Sequence, residues 1–182
     1  MAPPRKQLDF RAAAEALTAP GAEGATMDAI ARRIGVAKPT LYRMAGSREE
    51  LIAICVDAEA ERLLAQMHQG FGAAGAPPAE RLAAGFRRFF RFVEDSPAGF
   101  LLLFGGRYPE ARQAVRRVEN RVRDLIVRET RAAGRETAHA EALAGGLLGL
   151  AAGVARRALE DGVPLDAAQL PRILGRALAD GS

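Results

Sequence analysis

The chain has 182 residues, 26 basic against 22 acidic side chains, a net charge of +4 and a pI near 10.0. Its single cysteine, Cys55, excludes an intrachain disulfide, and a chain of this length buries a core without one. Ala and Leu dominate, Trp is absent and aromatics are 5%, which favours helices, while the alternating β-branched runs of a strand-rich domain are missing.

The expected fold is all-α, with about nine helices. A first helix is expected from Lys6 to Leu17, with Leu8, Ala12 and Ala16 inward, ending before Pro20, Gly21 and Gly24. Thr26 is an N-cap for a second helix, and Asp28 suits its first turn. Met27, Ile30, Ala31 and Ile34 form one apolar face at helical spacing. Gly35 follows where a left-handed backbone angle is needed. A third helix begins near Lys38, with Pro39 in its first turn and Leu41 inward. Lys38, Thr40 and Arg43 point outward, with Tyr42 beside them.

Ser47 and Glu50 have the spacing of a capping box. The box opens a long helix over 47–69, with Leu51, Ile54, Cys55, Ala58, Leu64 and Met67 inward. Cys55 sits among apolar neighbours and reads as a buried structural thiol. After a loop at 70–78 come helices over 79–94, 97–104, 109–133, 137–160 and 166–179. The segment 97–104 is apolar all round and should be buried. Phe86, Phe89, Phe90, Phe100, Leu103, Phe104 and Tyr108 cluster in sequence and, with Met67 and Val118, offer either an ordinary core or the lining of an apolar ligand pocket. Arg107, Arg112 and His68 are candidates to meet an anionic group. Gly145, Gly149 and Gly153 recur every four residues on one helix face. Glycine weakens a helix by about 1 kcal/mol against Ala, so the stripe implies close approach of a partner helix, in the same chain or a second copy.

The segment 26–51 has the parts of a helix-turn-helix: small Ala31, turn-forming Gly35, locking residues Ile30, Ile34, Val36, Leu41 and Met44, and a polar outer face on the second helix. An ordinary helical hairpin is the competing reading. No G-x-S-x-G, H-E-x-x-H, C-x-x-C or phosphate loop occurs, and His68 and His139 lack metal-ligand spacing, so no enzyme, metal or cofactor is expected. No apolar run reaches the roughly 20 residues of a membrane span, and no signal peptide is evident, so a cytoplasmic protein is expected.

Residues 8–56 resemble the TetR family of bacterial transcriptional regulators. The resemblance rests on Thr26, Asp28-x-Ile30-Ala31, the run from Gly35 to Arg43, and Ser47-Arg48-Glu49-Glu50-Leu51. It implies a DNA-binding domain over 1–46 and a ligand-binding and dimerisation domain over 47–182. By position, Thr26 would hold a phosphate at a helix N-terminus, and Lys38, Pro39, Thr40 and Arg43 would lie at the groove. Tyr42 and Arg48 would contact the DNA backbone, and Arg5 and Lys6 would add tail contacts. Met44 and Ala45 depart from the family, which usually has aromatics there. The resemblance also implies a homodimer built on the last two helices, with Gly145, Gly149 and Gly153 at the interface. The expected function is a repressor released from a palindromic double-stranded operator by a small hydrophobic effector. The alternative is a helical DNA-binding or interaction protein without ligand control.

Overall fold

The structure, a computed structural model, describes residues 8–19, 21, 26–71, 76–132, 138–165 and 169–171. It is all-helical over these residues. Eight helices follow in chain order: α1 (Phe10–Thr18), α2 (Met27–Arg33), α3 (Lys38–Ala45), α4 (Arg48–Phe71), α5 (Pro78–Asp95), α6 (Pro97–Phe104), α7 (Ala111–Ala132) and α8 (Ala138–Asp161). A further helical turn lies at 169–171. Most of the expected ninth helix, and the tail residues Arg5 and Lys6, lie outside the described residues.

Local chemistry sets the first four elements. Asp9 starts α1 four residues later than the apolar pattern predicts, because its carboxylate accepts from the Ala12 amide at 3.1 Å and takes the N-cap. Thr26 caps α2, its hydroxyl accepting from the Ala29 amide at 3.3 Å. Gly35 ends α2 at φ +72° and Gly46 ends α3 at φ +70°, angles at which a Cβ is strained. The capping box then forms in both directions. The Glu50 amide donates to Ser47 Oγ at 3.1 Å, and the Ser47 amide donates to Glu50 Oε2 at 2.6 Å.

One buried core runs from α1 to α8. α4 is its axis, packing on α5, α7, α6, α1 and α3. The buried stripe of α4 differs from the expected one. Ile54 is 37% exposed and Ala58 is half-buried, whereas Leu51, Ile52, Cys55, Val56, Glu59, Leu63 and Met67 are buried. The stripe is rotated onto the side of α4 that carries Glu59 together with Ile52, Val56 and Leu63. In α1 the buried residues are Ala13, Ala14, Ala16 and Leu17, with Leu8 and Ala12 at the margin.

Two measurements test this framework. Gly35→Ala should lower unfolding stability by about 1–2 kcal/mol from backbone angle alone, since nothing stands within 4 Å of the added Cβ. Gly46→Ala should be worse by about another 1 kcal/mol, because its Cβ would meet Glu50 Oε2 at 2.1 Å and displace the capping box. Equal urea midpoints for the two variants would contradict that ordering. The Cys55 thiol is pushed up to about 12, first by burial and then by the charge of Glu59. It therefore stays protonated across the working range, and alkylation at about pH 8 should be slow in the folded protein and fast in urea.

Candidate nucleic-acid interface and effector core

The helix-turn-helix comprises α2, the turn at Gly35 and α3. Val36 returns its amide to the Ala31 carbonyl at 3.0 Å, and the Gly35 amide donates to Arg32 at 3.3 Å, so the turn is closed by backbone bonds. Met27, Ile30 and Ala31 of α2 and Leu41 and Ala45 of α3 are buried. The two helices are thereby locked together, with α2 also packed on α1 and α3 on α4.

This packing leaves one side of α3 open. Lys38, Pro39 and Arg43 are exposed and Tyr42 is 46% exposed, while Thr40 and Met44 are half-buried. At about 100° per residue, the four exposed positions span roughly 140° of the helix circumference. Eight residues make α3 about 12 Å long, close to the width of a DNA major groove. Arg32 and Arg33 are exposed at the end of α2, and exposed Thr26 lies at its start. Ala45, where the family usually has a ring, is buried at 4% exposure.

Arg48 behaves differently from the other expected DNA contacts. It is half-buried, and its guanidinium lies 6.0 Å from the centroid of the Tyr108 ring. Tyr108 is in turn fixed to α1, its hydroxyl donating to the Leu17 carbonyl at 2.7 Å. Arg107 donates to the Leu17 and Ala19 carbonyls at 3.4 Å. The segment after α6 thus satisfies carbonyls left open at the end of α1. Tyr108, one of the candidate core or pocket residues, also makes through its hydroxyl a joint between the two parts of the chain, which no local pattern signals across 91 positions.

The remaining candidate pocket residues come together. Met67, Phe86, Phe89, Phe100 and Val118 are fully buried, Phe90 and Leu103 nearly so, and Phe104 is half-buried. Phe89 is central. Its ring meets Phe90 at 5.4 Å and both Phe100 and Phe104 at 6.2 Å, all edge-on, while Phe100 and Phe104 stack at 5.2 Å. These are favourable aromatic geometries. Phe92, not singled out from sequence, is also fully buried, with the Arg62 guanidinium 5.0 Å from its ring centroid.

Two grooves lie elsewhere. One, of about 480 Å³, runs between α4 and α7 and is lined by Glu61, Leu64, His68, Arg117, Arg121 and Asp124. His68 is exposed there, and Arg117 pairs with Asp57 of α4. Arg112, the other candidate for an anion, is exposed on α7. The second groove, of about 550 Å³, lies along α8 and is lined by Gly149, Leu150, Gly153, Val154, Ala158 and Val163 among others. Leu150 and Val163 are 55% and 57% exposed. Among the described residues, nothing stands within 4 Å of a Cβ added at Gly145, Gly149 or Gly153. Also among the described residues, no acidic, His or Cys cluster could hold a metal, and no helix is long and apolar enough to cross a membrane.

Known proteins share this arrangement. The profile of the bacterial regulatory proteins of the tetR family matches residues 10–54. The chain is 31% identical over 162 residues to the HTH-type transcriptional activator FasR of Mycolicibacterium smegmatis, a match covering 85% of this chain and 72% of that protein. A TetR-like transcriptional regulator from Rhodococcus sp. RHA1 superposes with a TM-score of 0.76 at 26% identity, covering 95% of this chain and 94% of that one. At the level of fold alone, the transcriptional regulator FadR from Bacillus subtilis, solved in complex with stearoyl-CoA, superposes with a TM-score of 0.78 at 15% identity, covering 95% and 97%. The helix-turn-helix head, the helical body behind it and the extended identity to FasR place the chain in the TetR family of bacterial regulatory proteins, which are DNA-binding transcriptional regulators and not enzymes.

Proposed function

We propose that two copies of this chain pair through α8 and the segment that follows it, and present their α3 helices to successive major grooves of a palindromic operator. The observation that carries the reading is the open face of α3, where Lys38, Pro39, Tyr42 and Arg43 stand clear of a rigidly packed head. In this reading Lys38 and Arg43 reach base edges or phosphates, Tyr42 bonds a phosphate, and Thr26 places the α2 N-terminus against the backbone. Arg48 joins the backbone contacts if it leaves the Tyr108 ring. Half-sites would lie about 34–36 Å apart, or a multiple of that. The apolar groove along α8 and the bare glycine stripe support pairing there, because a second helix could approach closely and cover Leu150 and Val163.

The effector in this reading is apolar and elongated, of the fatty acyl type. Support comes from the ring cluster of α5 and α6 and from the stearoyl-CoA held by the Bacillus subtilis neighbour. The cluster is packed here, so an acyl chain would enter by displacing rings around Phe89. That shifts α6, and α6 is tied to α1 through Tyr108. A ligand of this kind changes DNA affinity only by its differential affinity for the two arrangements. The action on transcription is repression relieved by the effector. A second reading, activation from the same operator, is favoured by the name of the FasR relative. Both use the same reading head and differ in where the operator lies relative to the promoter.

Selection from a random duplex library should recover a palindrome. Lys38→Ala and Tyr42→Ala should each weaken binding to it by about 1–3 kcal/mol, with urea midpoints unchanged. Unaltered affinity in both variants would refute the assigned reading face. Stearoyl-CoA should change operator affinity by about 5- to 150-fold. Indifference to acyl-CoAs of every chain length would refute the acyl effector. Deleting the gene should raise transcription of the target if the protein represses and lower it if the protein activates.

A further inference from the structure

Among the described residues, the buried polar side chains are Glu59 and Ser96, and they lie together. Glu59 is on α4, one turn after Cys55, and is 2% exposed. Ser96 is the residue between α5 and α6 and is the N-cap of α6. A Cβ added at Gly99 would stand 2.2 Å from Glu59 Oε2 and 2.6 Å from Ser96 Oγ. Carboxyl, hydroxyl and the first turn of α6 therefore meet at one point, and only glycine leaves room for them.

The charged surroundings are sparse. On α4 itself, Arg62 stands 2.8 Å from Glu59 Oε2, with its side chain 36% exposed. From α1, Arg11 acts at longer range. Cys55, the other titratable neighbour, is a neutral thiol. Neither Glu59 Oε2 nor Ser96 Oγ makes a well-aligned hydrogen bond. The Arg62 nitrogen that faces Glu59 is itself buried, and a buried carboxylate with one such cation is poorly compensated. Burial accordingly pushes the Glu59 carboxyl above its usual value of 4.5, and the opposing pulls of Arg62, Ser96 and Arg11 do not cancel that.

We propose that Glu59 is a proton-sensitive latch between α4 and α6, whose charge state sets how closely the first turn of α6 is held and, through α6, how the DNA-reading head is positioned. Neutral Glu59 rests between Ser96 and Gly99 and lets α6 close on α4. Charged Glu59, already against the Arg62 guanidinium, needs water as well, and the first turn of α6 loosens as water enters. The far end of α6 leads to Tyr108, bonded to the end of α1, so a tilt of α6 reaches the head. Only the operator arm of the test rests on the function proposed above.

The sign follows from proton binding. Folded protein holds the Glu59 proton more tightly than the unfolded chain. The stabilisation is complete below the ordinary carboxylate value of 4.5 and is lost as pH rises through the raised folded value. The experiment compares wild type, Glu59→Gln and Arg62→Gln from about pH 5 to about pH 8 at fixed ionic strength, by urea unfolding and by affinity for the selected duplex. The wild-type urea midpoint should fall toward the alkaline side. Relative to it, the Glu59→Gln midpoint should be flat and at least as high near neutrality. Arg62→Gln, lacking the cation that favours ionisation, should carry the fall to higher pH. Wild-type operator affinity should change by about five-fold or more over the same interval, and that change should vanish in Glu59→Gln. Parallel urea curves for wild type and Glu59→Gln overturn the latch. A pH-dependent midpoint with pH-independent operator affinity overturns its coupling to the head. Absence of duplex binding by all three proteins counts against the DNA-reading function, and the urea comparison still decides the latch.

Discussion

α4 is continuous from the reading head to the far side of the helical body. Twenty-four residues without a break make a rod of about 36 Å. Its first turn is fixed by the reciprocal Ser47–Glu50 bonds directly after α3, and its last turn, at Gly70, packs against the backbone of α5. Nothing along the rod offers a soft joint between the two ends: it carries no proline, and Gly70 stands at its end. In the reading proposed above, a rotation or translation imposed where α4 meets α5, α6 and α7 is carried along this rod to α3. Protein interiors this closely packed shift between discrete arrangements and do not deform smoothly.

A second link runs beside the rod. α6 packs on α1, α4, α5 and α7, and carries two rings of the Phe89 cluster. Its first turn meets Glu59 on α4, and the segment after its last turn bonds the end of α1. One short, apolar helix thus touches the candidate effector core, the buried carboxylate and the head. The joint at α1 is polar and directional, with Tyr108 and Arg107 both serving carbonyls at a helix end. Such a joint constrains orientation more sharply than apolar packing alone, because a shift of an ångström breaks it.

Much of the head is legible in sequence because its determinants are local. Thr26, Gly35, Pro39, Ser47 and Glu50 each act within a few positions, through a cap, a backbone angle or a first-turn tolerance. The same holds for the outer face of α3, since Leu41 and Ala45 define its inner side. The body resists such a reading. The inward stripe of α4 passes through Glu59, and a pattern built on apolar residues selects Ile54 and Ala58 instead. Phe92 lies off the Phe86, Phe89, Phe90 and Val93 stripe and is buried on another side of α5 by α4. Tyr108 and Arg48 take their directions from partners brought together by the tertiary fold. Their chemistry is visible in the sequence, but their orientation is not.

The central claim is that paired α3 helices enter the grooves of one duplex through the open face bearing Lys38, Pro39, Tyr42 and Arg43. Hydroxyl-radical footprinting on the selected duplex tests it most directly. Two symmetric protected patches on the same face of the DNA, about 10–10.5 base pairs or a multiple apart from centre to centre, are the expected result. A single asymmetric patch, or uniform protection along the whole duplex, would contradict it.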